Sequence, residues 1–273
     1  MRNLLILFLL ALVISSCRSQ DLIRPGDSIE VAYEKAMNQF VNENFSDAAR
    51  AFETVVSIGR GTDVGQDAQF YLAESYYKDR RFLIAASEYQ RYAQFHPNST
   101  RREQADFMQA KSYYQLSPRY RLDQTYTRQA IEQFRLFTSR YPNSEMVEEA
   151  AEIITELREK LARKQFTAAE FYMRTNRYNA AAVYYDIVID EYPETRWAER
   201  SVARQIEAYI LFAENSVPQR QEERFEKALA SYDTYLQLFP RGEYRDRVER
   251  LYERARRGLE EVQRRDSVAQ TGR

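Results

Sequence analysis

The feature that most constrains this fold is a repeated spacing of two alanines followed by a helix breaker. Five stretches of the chain align on one alanine, and a second alanine stands 12 residues earlier in three stretches and 20 residues earlier in two. A proline follows the aligned alanine by 12 residues in four stretches, whereas Gly59 and Gly61 flank that position in the first. Proline ends a helix because it lacks the N–H that a continuing helix needs. The alanine pairs are Ala36/Ala48, Ala73/Ala85, Ala110/Ala130, Ala169/Ala181 and Ala208/Ala228, and the prolines are Pro97, Pro142, Pro193 and Pro240.

This spacing is the tetratricopeptide (TPR) pattern of paired antiparallel helices. Small residues let the two helices approach, and an aromatic residue stands four positions after each aligned alanine to fill the remaining space. Only 7 glycines and 7 prolines argue against an all-β fold, which needs many turns. The sequence therefore predicts an all-α fold, an α-solenoid of five TPR-like helix pairs.

The start of the chain reads as a secretion signal. Arg2 precedes an apolar run from Leu4 to Ile14, which is shorter than the roughly 20 apolar residues that span a bilayer. Cys17, the only cysteine, follows it, and residues 14–17 resemble the bacterial lipobox, whose cysteine is lipidated. The alternative is an ordinary signal peptide with an incidental cysteine. Because Arg18 is not the aspartate that retains enterobacterial lipoproteins in the inner membrane, we expect an outer-membrane anchor facing the periplasm.

The repeat pattern also predicts how the chain is divided. Insertions at 115–129 and 213–227 lengthen units three and five. The second is expected to contact a partner protein, as inserted loops commonly do, and the alternative is a solvated loop without a partner. A long helix from Glu145 to about Thr175 connects units three and four, and a capping helix covers Tyr244–Arg265. The predicted boundaries are 1–16 for the signal peptide, 17–28 for the lipidated N-terminus and linker, 29–143 for units one to three, 144–265 for units four and five with the capping helix, and 266–273 for a disordered tail.

The sequence offers no group of residues suited to catalysis. His96, the only histidine, precedes Pro97, where other units carry Tyr or Phe, so a helix-ending role is the simpler interpretation. Neither a glycine-rich phosphate loop nor a His/Cys cluster is present. With 40 basic and 41 acidic residues, the balance of charge does not favour nucleic acid as a partner. We therefore expect a protein that is not an enzyme and has no metal or cofactor.

A candidate binding surface follows from the first helix of each unit. The residues three before and four after its alanine are two turns apart and share one face of that helix. They are aromatic at every place in units one to three but not in units four and five, where they are Phe166/Met173 and Gln205/Phe212. Such a row predicts a groove for an extended apolar peptide, or rings that only pack between helices. The row consists of Tyr33, Phe40, Phe70, Tyr77, Phe107 and Tyr114.

Residues 157–195 resemble the BamD family of outer-membrane assembly lipoproteins, which have a long helix, an aromatic-rich segment, a short turn and an Ala-rich helix ending in Tyr-Pro-acid-Thr. Arg140–Glu145 is similar to the family's Tyr-Pro-Asn-Ser phrase, and residues 117–124 are similar to its insertion in the third unit. The resemblance spans the lipobox and all five units. One departure is Tyr178 after Arg177, where many members have glycine, and Asn176 is expected to serve the turn.

The resemblance implies a lipid-anchored, periplasm-facing TPR scaffold of the β-barrel assembly machinery. Its implied partners are a BamA-type barrel insertase, other assembly lipoproteins and unfolded outer-membrane proteins. In that family the N-terminal units are linked to substrate recognition and the C-terminal units to the insertase. The alternative is another envelope TPR lipoprotein that coordinates peptidoglycan or Tol–Pal machinery.

Overall fold

The structure is a computed structural model that describes residues 22–271. Every regular element within that range is an α-helix, so the predicted all-α fold is confirmed. The long connecting helix is present close to its predicted bounds, and the terminal helix begins close to its predicted start. In chain order the helices are α1 Ile29–Val41, α2 Phe45–Ile58, α3 Asp63–Lys78, α4 Phe82–Phe95, α5 Arg102–Leu116, α6 Thr125–Arg140, α7 Val147–Arg174, α8 Tyr178–Glu191, α9 Arg196–Glu214, α10 Pro218–Leu238 and α11 Arg245–Thr271.

The recurring prolines act as helix terminators, as the sequence predicts. The residue before each proline is the C-cap of α4, α6, α8 or α10, and its backbone N–H donates to the carbonyl four residues earlier. The N···O distances are 2.8–3.1 Å. These caps are His96, Tyr141, Tyr192 and Phe239. The last bond of each helix is therefore closed before proline forces the chain out of it.

Three of the helix pairs share one turn geometry. Glu43, Arg80 and Asn176 each stand five residues before the aligned alanine of their unit and adopt positive φ angles of 61°, 62° and 57°. This left-handed conformation reverses the chain after α1, α3 and α7. Asparagine tolerates it better than most residues, and so Asn176 does serve the turn.

Besides the five repeat units, the chain forms two larger compact units, the first and second compact unit, which divide between Gln115 and Leu116. In the first unit, α1 to α4 contact one another in chain order, and α1 also contacts α3. In the second unit, α6 to α11 do the same, and the alternate pairs α7/α9 and α9/α11 are in contact. Contact between alternate helices, in addition to neighbours, is the arrangement expected of stacked TPR-like pairs.

All ten alanines of the repeat pattern are completely buried, at 0% exposure. A methyl group is the largest side chain that permits the close approach of the paired helices, and the neighbouring aromatic rings fill the space around it. In the first repeat unit, where no proline follows the aligned alanine, glycine permits an even closer contact. A Cβ atom added to Gly65 would lie 2.0 Å from the carbonyl oxygen of Gly59.

The two predicted insertions differ in structure. In the third unit residues 117–124 form a connection between α5 and α6, as expected of an inserted loop. In the fifth unit the extra residues extend both helices, to 19 residues in α9 and 21 in α10, and leave a short connection. Pro218 fits this arrangement because proline is tolerated at the first position of a helix. The expectation of a disordered tail from residue 266 is also corrected, because α11 continues to Thr271.

A network of charged residues connects four helices of the second compact unit. Arg204 on α9 donates to both carboxylate oxygens of Glu170 on α7, at 2.7 and 3.0 Å, and Tyr185 on α8 donates to the same carboxylate. Arg204 also donates to Glu207, which accepts a bond of 2.7 Å from Arg247 on α11. Burial acts to raise the pKa of the Glu170 carboxyl, but the bonds from Arg204 and Tyr185 outweigh it and lower that pKa. The charged form of Glu170 is thus part of the native state.

The alanine packing predicts a strong difference between two neighbouring positions of α10. Ala228 is completely buried, whereas Ala230 on the same helix is exposed. Ala228→Leu should lower the free energy of unfolding by about 1–3 kcal/mol because the added carbons have no space. Ala230→Leu should change it by no more than about 0.5 kcal/mol. Urea unfolding of both variants measures the difference, and equal effects would contradict the packing described here.

The network around Glu170 predicts a pH-dependent contribution to stability. Because the folded pKa is lowered, the stabilisation is complete above the unfolded pKa of roughly 4.3 and is lost as pH falls through the folded value. Glu170→Gln should therefore cost roughly 1.5–3 kcal/mol near neutral pH, and this cost should shrink in acid. Glu253→Gln, which removes one partner of an exposed ion pair, should cost less than about 1 kcal/mol. Chemical unfolding at neutral and acidic pH tests this, and a pH-independent cost for Glu170→Gln would rule it out.

Candidate functional site

The structure divides the predicted aromatic row into buried and half-buried positions. Phe70 and Phe107, which precede the alanine by three residues, are only 4% and 3% exposed. Phe40, Tyr77 and Tyr114, which follow it by four, are half-buried, and so is Tyr33. The rings accessible to a ligand are therefore mainly those that stand four residues after the alanine. The same division holds for Phe166, Gln205 and Phe212, whereas Met173 is buried.

In the first compact unit the row belongs to a larger aromatic cluster. The Tyr71 ring lies 5.3 Å from that of Phe40, 5.8 Å from Phe52 and 6.5 Å from Tyr33. Tyr71 is half-buried, so it joins α1 and α3 at the surface of the cluster while Phe52 lies completely buried beneath. The sequence prediction missed Tyr71 because it stands next to Phe70, outside the two-turn spacing. Its own position, two residues before the alanine, was the available signal.

Charged residues border this cluster. The Arg101 guanidinium carbon lies 5.1 Å from the Phe70 ring centre and 5.2 Å from that of Tyr71, and one of its nitrogens lies 3.2 Å from the Asp67 carboxylate. Burial, together with the charge of Asp67, raises the pKa of Tyr33 to about 12. The Tyr33 hydroxyl is thus neutral near pH 7, and the cluster offers an apolar surface with the Arg101–Asp67 ion pair at its edge.

The rings four residues after the alanine also pack across the turn that joins the two helices of a pair. The Phe40 ring lies 5.6 Å from Phe45, and the Tyr77 ring lies 5.3 Å from Phe82, both edge to face. On α5, the Lys111 ammonium lies 5.5 Å from the buried Phe107 ring. These rings therefore contribute to helix packing, and the partly exposed ones also present an edge to solvent.

The insertion of the fifth unit is held by the terminal helix. Glu214 accepts two hydrogen bonds from Arg254, at 2.8 and 2.5 Å. Glu222 accepts from Gln263 at 2.9 Å. The Arg224 guanidinium stacks on the Phe212 ring at 3.6 Å. Residues 213–227 are thus fixed against α11, with the ion pairs of Glu223 on the exposed side of the helix.

The remaining predicted residues bear on chemistry and anchoring. Cys17, the predicted lipidation site, lies outside the described residues. His96 ends α4, its Nε2 lies 3.0 Å from Gln69 Oε1, and burial lowers its pKa. Within residues 22–271, no group of three or more His, Cys, Asp or Glu side chains is placed to hold a metal ion. In the same range, none of the helices has the length and apolar character that crossing a membrane requires.

Stacked antiparallel helix pairs of this kind define the class of TPR-like all-α proteins. The chain belongs to the YfiO family of outer membrane lipoproteins, whose model matches residues 25–224. It is 26% identical over 222 residues to the outer membrane protein assembly factor BamD of Neisseria meningitidis serogroup B, a match that covers 74% of this chain and 82% of the relative. Identity to BamD of Vibrio cholerae is 24% over 213 residues, with 74% and 88% covered. Among solved structures, the TPR domain of P58(IPK) aligns with 89% of this chain and 66% of its own at 16% identity and a TM-score of 0.41.

Proposed function

We propose that this protein is a non-catalytic, periplasm-facing scaffold that helps recognise outer-membrane proteins and insert them, together with a BamA-type insertase. The observation that carries the proposal is the family match over 200 residues, 25–224, which includes helix pairs of both compact units. Relatives that share this region are outer membrane protein assembly factors. TPR-like pairs suit such a role because stacked helices provide extended surfaces for other proteins.

We propose that Cys17 anchors the protein in the outer membrane through acyl chains. The lipobox spelling of residues 14–17 and the family's description as outer membrane lipoproteins support this. Each buried methylene of an acyl chain contributes about 0.8 kcal/mol, so stable anchoring requires more than one chain. The first described helix begins at Ile29. Residues 18–28 would therefore connect the anchor to the folded part.

The half-buried rings of the first compact unit are proposed to receive the end of an unfolded outer-membrane protein. Terminal strands of such proteins carry aromatic and apolar residues at alternate positions, which an apolar cluster with open ring edges can bind. Tyr33, Phe40, Tyr71 and Tyr77 are the residues that combine ring contacts with partial exposure. Phe70 and Phe107 would support these rings from below, since both are buried.

This proposal predicts that peptide binding depends on the open rings. The probe is a peptide from the last strand of an outer-membrane barrel, and the variant is Phe40→Leu/Tyr77→Leu, which keeps apolar volume but removes both ring edges. Affinity should fall about tenfold if each ring contributes roughly 0.7 kcal/mol. Phe52→Leu is the matched control, because that ring is fully buried in the same cluster. Equal affinities for all variants, or a loss that only follows reduced stability, would show that the rings serve packing alone.

The second compact unit, with the insertion at 213–227, is proposed to contact the insertase. The contacts of Glu214 and Glu222 with α11 hold this segment in one conformation, so its exposed side can serve as a defined surface. The ion pairs of Glu223 with Arg220 and Lys227 lie on that side. Exposed charges of both signs suit a polar interface with a partner protein.

Co-purification from detergent-solubilised envelopes tests the function. The full chain should recover a barrel insertase, and Arg220→Glu/Lys227→Glu should reduce that recovery several-fold without loss of helicity, since like charges at an interface are costly. Cell-wall enzymes or Tol–Pal proteins in place of the insertase would contradict the proposal. In the same preparations Cys17→Ser should leave the membrane fraction and incorporate no labelled palmitate; equal labelling of both proteins would exclude Cys17 as the anchor.

A further inference from the structure

Three segments of the first compact unit lie together at one end of its helices. Ile23 and Ile29 pack against the core of this unit, and a Cβ atom added to Gly59, directly after α2, would lie 2.4 Å from the Ile29 side chain. In the first turn of α3, Gln66 donates to Ser99 in the α4–α5 connection at 3.2 Å. These contacts define what we call the near end of the unit, residues 22–29, 58–62 and 95–101.

The near end is also where the described part of the chain begins. Leu22 is the first described residue, and it stands five positions after Cys17. The segment that follows is fixed, because Ile23 packs on the core and the Asp27 carboxylate accepts a hydrogen bond of 2.6 Å from Lys35 on α1. Since five residues span at most about 17 Å even when fully extended, acyl chains on Cys17 would hold the near end within that distance of the membrane.

Large apolar side chains are exposed at the near end. Ile58 is the last residue of α2 and Phe95 the last residue of α4, and they are 53% and 69% exposed. Leu22 is exposed as well. Cations and carboxylates occur side by side there, such as the exposed Arg60 and Asp63. The near end therefore offers apolar groups to a ligand without a charge that selects one kind of headgroup.

The opposite end of the same helices, which we call the far end, provides a comparison. It contains the turns at Glu43 and Arg80, and it also exposes apolar side chains: Val41 at the end of α1 is 72% exposed, and Leu83 in the first turn of α4 is 52% exposed. Helices α2 and α4 have 14 residues each, which corresponds to a length of about 21 Å. Exposure does not distinguish the two ends, but distance from Cys17 does.

We propose that the near end of the first compact unit rests on the bilayer and places the Ile58 and Phe95 side chains among the lipid headgroups. The inference rests on the lipid anchor proposed for Cys17. Apolar side chains at the end of a folded unit gain free energy when they leave water for the interface. A folded partner protein fits this position less well than the bilayer, because a small domain is about 30 Å across and the gap is at most about 17 Å.

The test is fluorescence quenching in the lipidated chain, reconstituted in phosphatidylcholine vesicles that carry a nitroxide on the headgroup. One fluorophore is attached to an introduced cysteine, in Ile58→Cys or Phe95→Cys, and acylation would occupy the thiol of Cys17, the only natural cysteine. Val41→Cys and Leu83→Cys are the matched controls, since they are similarly exposed apolar positions at the far end. Quenching should be several-fold stronger at the near end, and the same fluorophore at both ends cancels its own affinity for lipid.

All four positions are exposed, so the variants should keep the thermal stability of the parent protein, and circular dichroism checks this. Equal quenching at both ends would overturn the inference, because the unit would then lie along the bilayer. Absence of quenching in a chain that floats with the vesicles would also overturn it and would leave Ile58 and Phe95 for a partner protein. Flotation distinguishes this failure from failure of the anchor: a chain that does not float refutes the anchor at Cys17 and this inference with it.

Discussion

Close approach of paired helices at buried alanines is the interaction on which the rest of this structure depends. Ten alanines at matching places are fully buried, and any larger side chain there would separate helices that must touch. The aromatic residues one turn later fill the remaining space; Phe52, Tyr89, Phe134 and Tyr185 are completely buried for this reason. The turns between paired helices and the prolines at helix ends keep this contact in register.

Polar bonds add precision to that packing. Tyr89 donates to Glu74 at 2.6 Å, and Tyr185 donates to Glu170 in the corresponding place of the fourth unit, both over a separation of 15 residues. Each bond satisfies a hydroxyl that the alanine packing has buried, so the core can contain tyrosine without an unpaired donor. In the fourth unit the same carboxylate also binds Arg204, which connects the pair to the next one. A bond within one helix pair thereby becomes part of a network through the second compact unit.

The surfaces left by this packing differ in chemistry. The first unit presents half-buried rings around Tyr71, with Arg101 at their edge. The second compact unit presents open cavities around Arg163, lined by arginines and glutamates, and an insertion fixed to the terminal helix. An apolar surface binds by burying area, whereas a surface of arginines and glutamates selects charge and geometry. A single repeated motif can thus build surfaces of different chemistry.

The sequence by itself determined the helices and their ends, because spacing, proline and small residues act locally. The alanine pairs, the prolines after His96 and Tyr141, the long helix α7 and the turn role of Asn176 were all predictable on this basis. Tertiary structure alone decided which residues of the aromatic row are open, since Phe70 and Tyr77 share one helix face but meet different neighbours. It also decided that one insertion became a loop and the other extended two helices. Arg119, Arg163 and Arg196 line one open cavity, and their separation along the chain leaves no local pattern to detect, so only folding brings their charges together.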